Sequence, residues 1–402
     1  YSGNGYPLFS KMSSKCSILN LLKFLEDPQY PSIGPHLKLL GLTGLWHPNR
    51  KSLTGRFKQI LFYVTITFFF SQYVRCFIKF NPGSLKLILQ YAPFHMGILK
   101  SCFFQKDYKK WELLIGYMSS VERCQLAKND PKHDEIIHAY IKRNRKVSYF
   151  FWALAFFSNF SIFTEPYQKN QINVNGTSIY LNIFDGYTPF HKEPPGYYIS
   201  MSIQTVLGHI VSAYVVGWDT LVVSIMIFFA GQLKITRLHC RMMIDAVNLN
   251  QSHRNIAECH RFHTTLVNYT RLFNALISPV MFVYLVVISV NLGVNIIQII
   301  HNDVATLVSS IMFVVACLIQ LLLFYWYANE VTVESTFVTY STFESNWPVA
   351  NNTIQREVAL LGLTTEKIVV FRAGPFNQMS LATFIAILRA SYSFYTLLNS
   401  TN

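Results

Sequence analysis

The chain is poor in charged residues, which make up 13% of its 402 residues, whereas hydrophobic residues make up 51%. Soluble domains carry about 25% charged residues. The shortage of charge therefore argues against a soluble domain, and a positive mean hydropathy of +0.27 indicates a membrane protein. The formal net charge is +14. Because the basic residues fall in blocks between apolar runs, they do not indicate nucleic acid binding.

The sequence also lacks the motifs of catalysis and cofactor binding. It contains no phosphate-binding loop, no Gly-x-Ser-x-Gly and no His-Glu-x-x-His, so we expect neither enzymatic activity nor a cofactor. Several histidines lie near two cysteines in sequence but form no compact four-ligand set. A polar, solvated helix accounts for them better than a metal site does. They are His239, His253, His260 and His263, with Cys240 and Cys259.

The seven cysteines contain no Cys-x-x-Cys pair. We therefore expect small apolar packing groups rather than a disulfide framework. The first fifty residues lack the pattern of a secretory signal peptide, so the first span is expected to direct membrane insertion. No period of 20 to 50 residues repeats along the chain, which argues against a solenoid or a duplicated transporter.

Long apolar runs are what the sequence does contain. A run of about 20 apolar residues crosses a bilayer as a helix, and seven such runs predict an all-α, polytopic membrane protein with seven transmembrane helices. They cover about residues 57–80, 85–104, 147–163, 196–231, 272–300, 304–327 and 379–398.

Four regions follow from these runs. Residues 1–56 form an N-terminal segment that either lies on the membrane surface or packs under the bundle. Residues 57–327 hold the first six spans. Residues 328–378 are too interrupted by polar groups to span a bilayer, and predict a helix at the membrane surface or in the cytosol. Residues 379–402 hold the seventh span and the C-terminus.

The seventh run differs from a plain lipid-facing helix. Gly374-Pro375 breaks the helix that precedes it, and Thr383, Arg389 and Ser391 lie within the run. Polar groups at membrane depth usually face a protein interior or a water-filled path. The run is therefore a candidate pore wall.

The basic residues predict the orientation. Most of the 34 lysine and arginine residues fall in segments on one side of the predicted membrane. Since cytoplasmic loops carry the excess of such residues, we expect a cytosolic N-terminus and an extracellular C-terminus. This is the reverse of a G-protein-coupled receptor. The acceptor sequences at Asn175 and Asn399 would lie outside and predict a glycoprotein.

Aromatic residues are dense in the outward halves of several spans, with a few hydroxyl and imidazole groups among them. Apolar walls with sparse polar groups suit a small volatile molecule. Ordinary helix packing is the alternative for any single residue. The predicted cavity residues are Tyr91, Phe94, His95, Phe157, Phe160, Tyr198, Met201, Thr205, His209, Ser310 and Phe313.

The C-terminal residues resemble those of the insect odorant receptor family. The resemblance is carried by Phe371 to Phe376, Met379 to Phe384 and Ile387 to Leu398, and also by Tyr340, Trp347 and Arg356 to Leu361 upstream. Span number, order and loop lengths are similar over essentially the whole chain. The chain looks like an odorant-tuned subunit rather than the co-receptor, because it lacks the long insertion between spans four and five.

The resemblance implies an odorant-gated, non-selective cation channel of four subunits around one pore lined by the seventh span. It implies the odorant-receptor co-receptor as partner in a heterotetramer, a cytosolic anchor built from helices four to seven, and the plasma membrane of olfactory sensory neurons as location. Membrane lipid and a volatile hydrophobic odorant are the other expected partners. The family pattern favours Ser391, Phe394, Tyr395 and Leu398 at the gate.

Three alternatives stay open at this point. The opposite stripe of the seventh span, with Ala382, Ala386, Arg389, Ser393 and Thr396, is equally compatible with a wet surface. A gustatory-type receptor channel would share the topology and work without the olfactory co-receptor. A G-protein-coupled receptor would require an external N-terminus.

Overall fold

The computed structural model describes residues 24–47, 52–78, 88–89, 91–169, 173–174, 177–178, 180, 182–184, 190, 194–245, 248–301 and 304–400. These residues are nearly all helical. The helices are α1 (Gly34–Thr43), α2 (Leu53–Ile78), α3 (Ala92–Lys106), α4 (Tyr108–Ala127), α5 (Pro131–Lys169), α6 (Gly196–Arg241), α7 (Leu249–His301), α8 (Val304–Phe343), α9 (Asn352–Thr365) and α10 (Leu381–Ser400).

Helix α6 is the centre of the bundle. Every residue from Val216 through Leu233 is buried, and the helix contacts α1, α3, α5, α7 and α8. A helix that is apolar on all sides needs neighbours on all sides. Few polar residues interrupt this stretch, and Gln232 pairs its side-chain amide with that of Gln125 on α4 at 2.8 and 2.9 Å. The other elements are arranged around this helix.

Five helices of the described chain are long and apolar enough to cross a membrane, and residues Leu381–Ser393 form a shorter apolar part of α10. The five are Leu53–Ile78, Pro131–Thr164, Gly196–Arg241, Leu249–Ile296 and Ser310–Val349. Residues 85–87 and 90 of the predicted second span lie outside the described residues, and α3 contains residues 92–104 of it. The predicted runs thus coincide with helices.

Several helices continue well past the apolar run that predicted them. Helix α7 has 53 residues, which at 1.5 Å per residue is about 80 Å, more than twice the thickness of a hydrocarbon core. Helix α8 continues to Phe343, whereas the sixth run ends at residue 327. These extensions pack together with α9, and the interrupted stretch after the sixth run is largely helical.

Residues 24–47, the described part of the N-terminal segment before α2, pack against the bundle. Helix α1 contacts α6. The Ser32 backbone N–H donates to the Glu122 carboxylate at 3.1 Å, and its carbonyl accepts from Asn144 at 2.9 Å. Tyr140 donates to the other Glu122 oxygen at 2.8 Å. Burial raises the pKa of Glu122, because desolvation disfavours the charged form.

A short hairpin separates α9 from α10. Strands β3 (Arg372–Ala373) and β4 (Asn377–Gln378) pair antiparallel across the Gly374-Pro375 turn, as β1 (Asn173–Val174) and β2 (Thr177–Ser178) pair in an earlier loop. Gly374 has a φ of 73°, and its N–H donates to the Ser278 carbonyl at 3.1 Å. The predicted helix break is present. The strands were not predicted, because two residues are too short to show a period.

In the described chain the cysteines are free thiols, and several histidines pair with neighbouring side chains. Six cysteines are described, and all six are free. No group of three or more His, Cys, Asp or Glu residues among the described positions is placed to hold a metal ion. His253 instead pairs with Glu357 at 2.7 Å, and His239 lies 2.9 Å from His133 between their Nε2 atoms.

Candidate functional site

A cavity of about 50 Å³ lies where α3, α5, α6 and α8 meet. Most of its wall is apolar, and the polar exceptions are few, which is the composition of a site for a small apolar ligand. The lining residues are Pro93, Phe94, Phe151, Ala155, Ser158, Asn159, Ser212, Val215, Val216, Phe313, Ala316, Cys317 and Gln320.

An aromatic cluster borders the cavity beside Phe94. The Phe94 ring lies 5.9 Å from Phe163 on α5, 5.8 Å from Phe184 and 6.1 Å from Tyr91, between ring centroids. Offset and edge-to-face rings at these distances attract one another. Phe184 comes from the loop between α5 and α6 and is buried. The cluster therefore joins that loop to the helices around the cavity.

Gln320 of the cavity wall contacts a group of buried polar side chains. The amide nitrogen of Gln320 on α8 donates to Oδ2 of Asp219 on α6. Oδ1 of Asp219 accepts from the Lys100 ammonium of α3 at 2.6 Å, and both charged side chains are almost fully buried. Three helices are thus tied together by one hydrogen-bonded ion pair.

Aromatic faces surround the Lys100 ammonium. Its Nζ lies 4.3 Å from the ring centroid of Tyr284 on α7, 5.1 Å from that of Trp218 and 5.6 Å from that of Phe324. The ring quadrupole attracts a cation over its face. The buried cation therefore has partners on three other helices, α6, α7 and α8.

Close packing of α3 on α6 brings this pair within reach. Gly97 lies one turn before Lys100 on α3, and a Cβ added there would lie 2.4 Å from Cγ2 of Val215. Only a residue without a side chain allows the two backbones to approach so closely. Gly97 thus sets the spacing across which Lys100 reaches Asp219.

The structure brings some of the predicted residues to this cavity. Phe94 and Phe313 line it, and Tyr91 contacts Phe94 in the aromatic cluster. Met201 is fully buried in α6 and Ser310 is buried in α8, but neither lines the cavity.

The predicted imidazole and hydroxyl groups face other surroundings. His95 packs against α2, with its ring 5.5 Å from Phe69 and 5.0 Å from Tyr73. His209 is exposed, and its Nδ1 lies 2.8 Å from the carbonyl oxygen of Thr205, which is partly buried. These three residues are not part of the cavity wall.

Three predicted aromatic residues point away from the bundle. Phe157, Phe160 and Tyr198 are 62%, 58% and 55% exposed, whereas Phe94 is 4% exposed. They lie on the helices that the sequence predicted. The outer and inner faces of a membrane helix both carry apolar residues, however. The face of each helix was therefore not readable from the sequence.

The seventh apolar helix, α10, packs on α7 and α8. Ser391 is buried, and its Oγ donates to the Ile387 carbonyl at 3.0 Å. The opposite face, with Ala382, Ala386, Arg389, Ser393 and Thr396, is exposed. The side chains of Phe394, Tyr395 and Leu398 lie outside the described part of the chain.

The polar residues of the cavity are the ones that sequence reasoning missed. Ser158, Asn159, Ser212 and Gln320 were not singled out, nor was the pair of Lys100 and Asp219. A signal was available for the pair, because opposite charges inside apolar runs are costly unless they meet. The hydroxyl and amide groups offered no such signal.

The sequence model described as "7tm Odorant receptor" matches residues 88–392, which is most of the chain. The chain belongs to the 7tm odorant receptor family. That family membership identifies a receptor rather than an enzyme, and a multi-pass membrane protein.

Curated odorant receptors of insects are similar in sequence. Odorant receptor 10 of Aedes albopictus is 23% identical over 310 residues, which cover 75% of this chain and 80% of that protein. Odorant receptor 82a of Drosophila melanogaster is 25% identical over 215 residues, 53% of this chain and 56% of that protein. Such identities are low, so individual ligands do not transfer between these receptors.

The fold is that of a solved insect olfactory receptor. The structure of OR5 from Machilis hrabei superposes with a TM-score of 0.76 at 14% identity, covering 96% of this chain and 99% of that one. The same protein in complex with eugenol gives a TM-score of 0.75 and covers 92% and 98%. The predicted all-α architecture with seven transmembrane helices is confirmed.

Proposed function

We propose that this odorant receptor is the ligand-binding subunit of an odorant-gated, non-selective cation channel. The observation that carries the proposal is the mostly apolar cavity between α3, α5, α6 and α8, inside a bundle of the odorant receptor fold. Its wall supplies burial for a volatile molecule, and its few polar groups supply orientation. The odorant binds at Phe94 and Phe313, beside the aromatic cluster.

The size of the cavity indicates how binding drives gating. An engineered apolar cavity of about 150 Å³ accepts benzene, whereas this cavity measures about 50 Å³. A ligand the size of benzene or larger, such as the eugenol bound by the Machilis receptor, therefore requires the helices to move apart. A ligand that binds only the expanded arrangement shifts the population toward it. This differential affinity is the gating force in our proposal.

The pore in our proposal is lined by α10. A pore formed between subunits must be lined by a face that remains uncovered within each subunit. In α10 that face carries Ala382, Ala386, Arg389, Ser393 and Thr396, and Ser391 lies on the buried face. The burial favours the polar stripe with Ser393 over Ser391, the residue that the family pattern favoured.

The assembly in our proposal is a heterotetramer with the odorant-receptor co-receptor, in the plasma membrane of olfactory sensory neurons. The N-terminus is cytosolic and the C-terminus extracellular. The asymmetry of lysine and arginine along the chain supports this orientation. Asn175 and Asn399 are then on the glycosylated side.

Odorant-evoked current tests the assignment of the cavity. In cells that express the chain with the co-receptor, Phe94→Leu and Phe313→Leu should raise the half-maximal odorant concentration about tenfold, because wall contacts are lost. Phe157→Leu is the matched control, since Phe157 is exposed, and should change it less than twofold. Surface labelling confirms that each variant reaches the membrane.

The cavity residues Phe94 and Phe313 and the exposed Phe157 give opposite expectations, so the test distinguishes a site in the cavity from a site on the outer surface. A large change for Phe157→Leu with normal responses for the two cavity variants would move the site to the outer surface of α5. Absence of odorant-evoked current from surface-expressed wild-type chain, across a broad volatile panel, would contradict the channel function.

A further inference from the structure

Gln320 connects the cavity to the buried ion pair. Its side chain lines the cavity, and its Nε2 donates to Oδ2 of Asp219. A side-chain amide has a donor end and an acceptor end that are similar in shape. Which end is turned toward a ligand depends on what holds the other end.

The ion pair of Lys100 and Asp219 determines the orientation of the Gln320 amide. An ionised carboxylate only accepts hydrogen bonds, so Asp219 binds the NH₂ end of the amide and repels the carbonyl end. Lys100 keeps Asp219 in this role, with Nζ 2.6 Å from Oδ1. The rings of Tyr284 and Trp218 hold the ammonium from the other side. The orientation of Gln320 is thus fixed by a charge on α6 and a countercharge on α3.

The carbonyl oxygen of Gln320 is then the end left for a ligand. Within the described chain no group donates to it. The remaining polar groups of the wall distinguish less sharply between a hydrogen-bond donor and an acceptor on the ligand. Asn159 and Ser212 hydrogen-bond to each other, and the hydroxyl of Ser158 both donates and accepts. Only Gln320 presents an acceptor whose orientation a charge determines.

We propose that Gln320 recognises a hydroxyl group on the odorant through a hydrogen bond, and that Lys100 and Asp219 are positioning residues for this contact. The preferred ligand class is a small volatile alcohol, whose O–H donates to Oε1 of Gln320. A ketone or aldehyde of the same skeleton offers only an acceptor and leaves the two carbonyl oxygens facing each other. This inference rests on the proposed odorant-binding function and names the ligand chemistry of the same cavity.

Matched pairs of volatiles test the proposal. The probes are the alkan-2-ols and alkan-2-ones from pentan-2-ol and pentan-2-one to octan-2-ol and octan-2-one, which differ only at the oxygen. They are applied to cells that express the full chain with the co-receptor. Wild-type chain should respond to each alcohol at a concentration about fivefold to tenfold lower than to its ketone, the ratio expected of one hydrogen bond.

Three variants locate the source of the preference. Gln320→Met keeps the volume and removes the amide, so the alcohol-to-ketone ratio should fall to about one. Lys100→Met combined with Asp219→Asn removes both charges and lets the amide turn, so the alcohol-to-ketone ratio should also fall to about one. Val315→Met is the control on α8, because Val315 is exposed, and should keep the wild-type ratio.

The ratio distinguishes positioning from a merely structural role, since loss of folding lowers both responses together. A wild-type ratio near one, or an unchanged ratio in Gln320→Met, overturns the proposal while the odorant-binding function stands. A response to hydrocarbons or esters but to no alcohol also overturns it. No current with any volatile from a chain at the cell surface contradicts the proposed function itself, and this inference with it.

Discussion

Lys100 and Asp219 show how single residues hold this membrane bundle together. Removing one partner of a buried ion pair leaves an uncompensated charge, which costs about 3–5 kcal/mol, whereas an apolar replacement of both is often neutral. Stability alone therefore does not explain the pair. Its contact with Gln320, which lines the cavity, fits a role in ligand recognition better.

Glu122 makes a pH-dependent contact between the N-terminal segment and the bundle. Burial raises its pKa above the ordinary 4.5. The folded protein then holds the proton more tightly than the unfolded chain does. The stability from this group is full below pH 4.5 and is lost as the pH rises through the raised pKa.

Glu122→Gln should therefore flatten the dependence of the melting temperature on pH. Gln resembles the protonated carboxyl, so the variant should match wild type near pH 4.5 and equal or exceed it at pH 7.5. Thermal unfolding of the detergent-solubilised protein measures both. Glu112→Gln on the same helix is the control, since Glu112 is exposed. A variant that is less stable than wild type at pH 7.5 by several degrees would contradict the prediction.

At the scale of elements, the contact between α3 and α6 depends on Gly97. We expect Gly97→Ala to lower stability by about 1–3 kcal/mol, the usual cost of overpacking, because its Cβ would lie 2.4 Å from Val215. Val215→Ala in the same chain should restore most of the loss. Gly116→Ala on α4 meets nothing within 4 Å, and should be neutral or stabilising by up to about 1 kcal/mol.

These variants are compared by thermal unfolding and by odorant-evoked current. The Gly97 variant should also weaken the current, since the spacing that lets Lys100 reach Asp219 is altered. Equal stability of the Gly97 and Gly116 variants would mean that the two helices are not held at this distance.

The two faces of α10 make different predictions about water access. A charged thiol reagent should block the open channel in Ala386→Cys and Ser393→Cys, whose positions are exposed. It should have little effect on Ser391→Cys, whose position is buried. Current before and after reagent, in the presence of odorant, is the measurement, and the wild-type chain gives the background of its native cysteines. If the reagent blocks only Ser391→Cys, the pore is lined by the face with Ser391, which the family pattern favoured.

At the scale of the whole molecule, orientation and assembly are the open predictions. A tag at the C-terminus should bind antibody on intact cells, whereas a tag at the N-terminus should require permeabilisation. Odorant-evoked current should need the co-receptor. Current without it would favour a gustatory-type channel, and an external N-terminal tag would favour a G-protein-coupled receptor.

Much of the architecture could be predicted from the length of the apolar runs and from the turn residues Gly374 and Pro375. A helix must satisfy its own backbone inside a bilayer, so runs of about 20 apolar residues have few other structures open to them. The helix break at Gly374-Pro375 followed in the same way. The helical extensions beyond the membrane were readable only in part, because their apolar spacing is interrupted.

The face that each helix turns inward was decided only by tertiary structure. In a lipid environment apolar residues are favourable both inside and outside the bundle, so composition did not separate buried Phe94 from exposed Phe157. The meeting of Lys100, Asp219 and Gln320 likewise depends on three helices brought together across more than 200 residues of chain. Span number and helix class are local properties of the chain, whereas the cavity and the contact of Gln320 with the ion pair are products of packing.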